Sequence, residues 1–104
     1  MKPFETPWSV GSMLICNKCG KAFNKPENAE ELKSDLRVYL KAGDNHKKIR
    51  VMVSGCLNVC ISDEQAIVYQ PVLGKTETFT VEKNYEKSLK EIKNTLNEKL
   101  KLLP

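Results

Sequence analysis

The chain has no apolar run approaching the roughly 18–20 residues that a membrane helix needs, which argues against a membrane partner. Met1-Lys2 is followed by Pro3, Glu5 and Pro7 without a long apolar stretch, unlike a secretory signal. A cytoplasmic protein with reduced thiols is therefore expected. Histidine occurs once, as His46 in the polar segment 43–48, where a solvated turn residue is the simplest reading. One histidine leaves no room for several catalytic sets, and no glycine-rich phosphate loop is present. Arginine is scarce too: Arg37 and Arg50 are the only two.

The formal charge of +4, from 17 Lys+Arg against 13 Asp+Glu, comes almost entirely from lysine. Pairs such as Glu86-Lys87 and Lys90-Glu91 read as a solvated helix face of mixed sign. With so few bidentate readers of phosphate and base, the sequence argues against a nucleic-acid partner. Glu30-Glu31 and Asp63-Glu64 read as helix-start and loop charges, the second pair also as a possible docking contact. Nothing points to substrate chemistry; a carrier is expected, not an enzyme. Neither charge nor hydropathy excludes a homodimer.

A chain of 104 residues is one domain by length and long enough to bury a core without disulfide staples. Residues 1–11 read as an N-terminal arm, with Phe4, Trp8 and Val10 tucked against a domain spanning 12–104. Met13-Leu14-Ile15 suggests a short strand over 12–16, and 19–25 reads as loop. A helix is expected from about Pro26–Asn28, with Asn28 and Glu31 as a capping box and Leu32, Leu36 and Leu40 on one face. Gly43 should end it in a left-handed conformation. Ile49, Val51 and Val53 alternate in a second strand, and Met52 between them suggests burial on both faces. Segments 66–70 and 77–81 look like a hairpin turned through Pro71 and Gly74. A last helix, from about Lys83, carries Tyr85, Leu89, Ile92, Leu96 and Leu100 on one stripe.

What is present, against these absences, is four cysteines in two tight pairs: Cys16-Asn17-Lys18-Cys19 and Cys56-Leu57-Asn58-Val59-Cys60. Each pair follows a predicted strand. A strand–helix–strand unit makes those strands parallel, so their C-terminal ends share one sheet edge and both pairs arrive there.

Three chemistries suit such a set. A structural zinc site fits Cys16-x-x-Cys19-Gly20, the usual tight zinc turn, better than it fits the longer second pair. A [2Fe–2S] cluster wants two cysteines per iron, with close backbone at Gly20 and Gly55 and apolar cover from Leu57, Val59 and Ile61. Thiol–disulfide exchange would want a helix N-terminus at the attacking cysteine, yet Gly20 and Pro26 place the helix start several residues on.

The segment Ser54-Gly55-Cys56-Leu57-Asn58-Val59-Cys60, followed by Ala66-Ile67-Val68-Tyr69, resembles the second cysteine loop of thioredoxin-like [2Fe–2S] ferredoxins. The same loop occurs in small iron–sulfur subunits of NADH dehydrogenases and NAD-reducing hydrogenases, and the element order corresponds over residues 12–102. The resemblance implies an α/β, thioredoxin-like fold with a mixed sheet of about four strands, ordered β-α-β-β-β-α, and two main helices. It also implies Cys56 and Cys60 on one iron, Cys16 and Cys19 on the other, and one-electron transfer to a redox protein partner.

Overall fold

The computed structural model describes residues 2–55 and 64–101. Among them, strands β1 (Gly11–Cys16), β2 (Ile49–Ser54), β3 (Glu64–Pro71) and β4 (Glu77–Glu82) form one sheet in the order β2-β1-β3-β4. β1 runs parallel to β2 and antiparallel to β3, and β4 is antiparallel to β3. Helix α1 (Asn28–Ala42) connects the two parallel strands, and α2 (Tyr85–Lys101) follows the hairpin. This is the mixed four-stranded sheet with two helices expected of a thioredoxin-like chain. None of the described helices is long and apolar enough to cross a membrane.

The core lies between the helices and one face of the sheet. Leu32, Leu36 and Leu40 of α1 and Ile92 and Leu96 of α2 are all 1% exposed or less, against Met13, Ile15, Ile49, Val51, Ile67 and Tyr69 from the strands. Burying each of these leucines and isoleucines contributes about 1.5–3 kcal/mol, which is why the three- and four-residue spacing was so readable. Met52 is only half-buried, as are its neighbours across the sheet, Leu14 and Val68 on the interior strands, so the face away from the core is partly open and the expected burial on both faces does not hold.

Other local expectations are corrected. Phe4 is 90% exposed; upstream of Ser9 no backbone hydrogen bond anchors the arm to the described residues. Anchoring begins where Ser9 and Val10 donate N–H groups to the carbonyls of Lys47 and Lys48, at 3.1 and 2.7 Å, and Val10 is buried. Segment 19–25 is not simple loop: Cys19–Phe23 forms a 3₁₀ turn. The capping box is not made, since α1 has no side-chain cap and the Asn28 amide points inward instead. Gly43 keeps a right-handed φ of −93°, and Asp44 takes the left-handed step with φ 58°. Asp tolerates that conformation, and it lets Asn45 N–H reach the Leu40 carbonyl at 2.7 Å to close the helix end.

At the far end of β1 a close approach fixes Gly11. A Cβ there would lie 2.4 Å from the Tyr69 hydroxyl and 2.9 Å from the Gln70 carbonyl oxygen. Tyr69 is 1% exposed, and its hydroxyl has no hydrogen-bond partner among the described residues.

Candidate metal centre

β1 is an interior strand, held between β2 and β3, and its last residue is Cys16. The parallel register sets Cys16 opposite Ser54, and Asn17 N–H continues the ladder to the Ser54 carbonyl at 3.0 Å. The crossover thus brings the end of β2 beside the first cysteine pair, as the chain order implied. Cys56 and Cys60 lie outside the described residues.

Cys16 and Cys19 are both buried, 2% and 9% exposed, and form a small apolar cluster with Ala66 at the start of β3. Each sulfur accepts a backbone N–H: Lys18 donates to Cys16 Sγ and Ala66 donates to Cys19 Sγ, both at 3.4 Å. A donor aimed at sulfur stabilises the thiolate that a metal requires. The two donors come from opposite directions. One belongs to the cysteine turn itself, the other to a strand almost fifty residues on.

Gly20 makes the turn possible. A Cβ there would sit 2.0 Å from the Lys25 carbonyl oxygen, while Lys25 N–H donates to the Gly20 carbonyl at 2.8 Å. Backbone meets backbone there, and no side chain can yield. Asn24, at φ 58°, reverses the chain toward Lys25. The close approach expected at Gly55 involves the second cysteine loop, which lies outside the described residues.

Behind the pair lies a polar relay that the sequence reading did not single out. Gln65 is fully buried, and its Nε2 donates to the Cys16 carbonyl at 2.8 Å and to the Ala66 carbonyl at 3.0 Å. Asn28, 2% exposed at the start of α1, donates Nδ2 to Gln65 Oε1 at 2.9 Å. The relay ties α1, β1 and β3 together at the cysteines. Its signal in the sequence was a glutamine directly before an apolar strand, which reads as the end of the polar stretch 62–65. Asn28 looked like a cap because that is where such residues are most often found.

The neighbouring charges are arranged outside this relay. Lys18 and Lys21 are exposed, and Lys25 pairs with Glu31 at 2.9 Å while lying 3.9 Å over the Tyr85 ring. Tyr85 in turn donates its hydroxyl to Asp35. Burial, and then the Asp35 carboxylate, raise the Tyr85 phenol well above its ordinary value. Glu64, expected as a loop charge, belongs to β3 and accepts a 2.8 Å bond from Thr80 Oγ1.

Among the described residues no three His, Cys, Asp or Glu side chains converge as a ligand set. Cys16 and Cys19 supply two sulfurs, with the amide donors that metal-bound thiolates need. No family model matches the chain, and no curated protein or solved structure matches it. The residues and their geometry therefore carry the functional reading.

Proposed function

We propose that the chain is a small cytoplasmic [2Fe–2S] protein that passes single electrons to a redox protein partner and is not itself an enzyme. Cys16 and Cys19 would hold one iron and Cys56 and Cys60 the other. The observation that carries this reading is the buried Cys16–Cys19 pair, each sulfur receiving a backbone amide, at the sheet edge where β2 also ends. The likeness of the second cysteine loop to thioredoxin-like ferredoxins supports it from the sequence side.

A bound cluster supplies one-electron oxidation and reduction. The chain's contribution is to orient and shield it. The Lys18 and Ala66 amides favour the charged form of the sulfurs, Ala66 excludes water, and Gln65 fixes the backbone from which Cys16 extends. Exposed Lys18 and Lys21 beside the pair favour a partner with an acidic docking surface.

A second reading, a non-redox interaction module with zinc on the four cysteines, is favoured by one observation. The Lys18 N–H to Cys16 Sγ bond, with Cys19 opening a 3₁₀ turn, is the local geometry of a tight zinc turn. Thiol exchange has less support, since Cys16 and Cys19 are buried and α1 does not begin until Asn28.

Anaerobic purification with iron, zinc and acid-labile sulfide analysis separates these. The electron carrier requires about two irons and two sulfides per chain, visible absorption, and an electron paramagnetic signal on one-electron reduction. A colourless protein with one zinc that takes up no iron on reconstitution refutes it.

A further inference from the structure

The chain's only two arginines and its only histidine, scattered through the sequence at 37, 46 and 50, line one cleft together with Lys41. We propose that this cleft, between the C-terminal half of α1 and edge strand β2, is a binding site for a phosphate group. It does not depend on what the cysteines hold.

The cleft has a volume of about 150 Å³ and an apolar floor of Leu40 and Ile49. Its polar wall is entirely cationic or hydrogen-bond donating, with no carboxylate in the lining; Asp44, close to His46 in sequence, is not part of it. Three lysines elsewhere on the surface carry a carboxylate partner: Lys25 with Glu31, Lys33 with Glu30 and Lys99 with Glu77. Among the described residues Arg37, Lys41, His46 and Arg50 make no ion pair. Gathering these groups without a counter-charge costs mutual repulsion, which a bound anion removes.

Arg37 is already oriented. Its Nε donates to the Val51 carbonyl at 2.9 Å, leaving the two terminal nitrogens of the guanidinium for a ligand. Covering an edge-strand carbonyl explains Arg37 alone. It does not explain why Arg50, His46 and Lys41 gather at the same place.

Size and donor geometry select the ligand. Pockets for drug-sized molecules run to about 300–1,000 Å³, so this cleft suits one anionic group and not a whole cofactor. Donors from a helix, a turn and a strand match the several oxygens of a tetrahedral phosphate better than the two of a planar carboxylate. Inorganic phosphate and the phosphate of a small monoester share this chemistry.

The test is a ¹H–¹⁵N NMR titration of the full chain with inorganic phosphate and, separately, with glycerol phosphate, each against chloride at matched ionic strength. The proposal expects saturable shifts at the Arg37 side-chain Nε–H and the backbone amides of Leu40, Lys41, His46 and Arg50. Tighter binding of glycerol phosphate identifies an ester as the occupant, and equal or weaker binding identifies free phosphate. Arg50→Gln, on an exposed side chain, should weaken binding at least tenfold, and Arg37→Gln likewise. Lys90→Gln on α2 should change nothing. Shifts matched by chloride, or Arg50→Gln binding as the parent does, overturn the site. So does a single-stranded RNA oligomer that binds while phosphate leaves these resonances unmoved, since the surface would then be a polyanion face.

Discussion

Replacing Gln65 by leucine tests whether the buried relay holds the cysteine turn. The substitution keeps the approximate size of the side chain but removes its donors and its acceptor. Three bonds are lost: those from Nε2 to the carbonyls of Cys16 and Ala66, and that from Asn28 Nδ2 to Oε1. Asn28 is left worst off. Its Oδ1 already has no partner among the described residues, so the whole amide becomes an unpaired polar group at 2% exposure. A buried polar group without a partner costs about 1–3 kcal/mol; the Asn28 amide is left in that state, while the Cys16 and Ala66 carbonyls each lose one donor. The apolar leucine offsets part of this, so the expected loss is about 3 kcal/mol, against a total of about 5–15 kcal/mol for a domain. Urea unfolding of the metal-free, reduced protein measures it. Adding Asn28→Ala removes the orphaned amide, so the double variant should recover about 1–2 kcal/mol relative to the sum of the singles. A single-variant loss below about 1 kcal/mol, or strict additivity in the cycle, would show that the relay does not bear on stability.

Gly20→Ala should be costlier than its one methyl group suggests, by about 2 kcal/mol or more, because the Cβ meets the Lys25 backbone at 2.0 Å; urea midpoints and iron content after reconstitution should fall together. Tyr69→Phe should raise stability by about 1 kcal/mol, since it deletes a buried hydroxyl with no partner; a lower melting temperature would contradict this. Burial raises the phenol pKa of Tyr69, with a contribution from Glu77, and raises that of Tyr85, with a contribution from Asp35. The folded chain then keeps protons that the unfolded chain releases near pH 10, so this stabilisation is complete below about pH 10 and is lost as pH rises beyond it. Absorbance titration at alkaline pH should show these two phenols ionising late, and Tyr69→Phe and Tyr85→Phe should each remove one late step.

The sheet and helices were legible because their signals are repeated. α1 declares itself through Leu32, Leu36 and Leu40, and β2 through Ile49, Val51 and Val53; single misplacements do not disturb such patterns. The parallel pairing of β1 with β2 followed from the crossover, and Cys16 does face Ser54. What escaped were one-residue decisions settled by distant partners. Asn28 carries every mark of a cap, but its amide is turned inward to donate Nδ2 to the buried Gln65 Oε1, and its Oδ1 takes no N–H of its own helix. Gln65 looked like loop because nothing beside it in sequence shows that Cys16, 49 positions earlier, will present a carbonyl needing a donor. Asp44 took the left-handed position expected of Gly43 because the closing bond from Asn45 to Leu40 required it one residue later. His46, Arg37 and Arg50 were each unremarkable alone, and only the fold assembles them.

The amide that Ala66 gives to the Cys19 sulfur comes from 47 positions downstream. A chain ended just past residue 60 contains all four cysteines but neither Gln65 nor Ala66. A peptide cut to residues 12–25 is in the same condition: it holds the spacing of the motif without its electrostatics. The first pair is therefore finished by the arrival of β3 and not by its own turn. The electrostatics of the Cys19 sulfur are thus a property of the assembled sheet, absent from any fragment that stops short of β3.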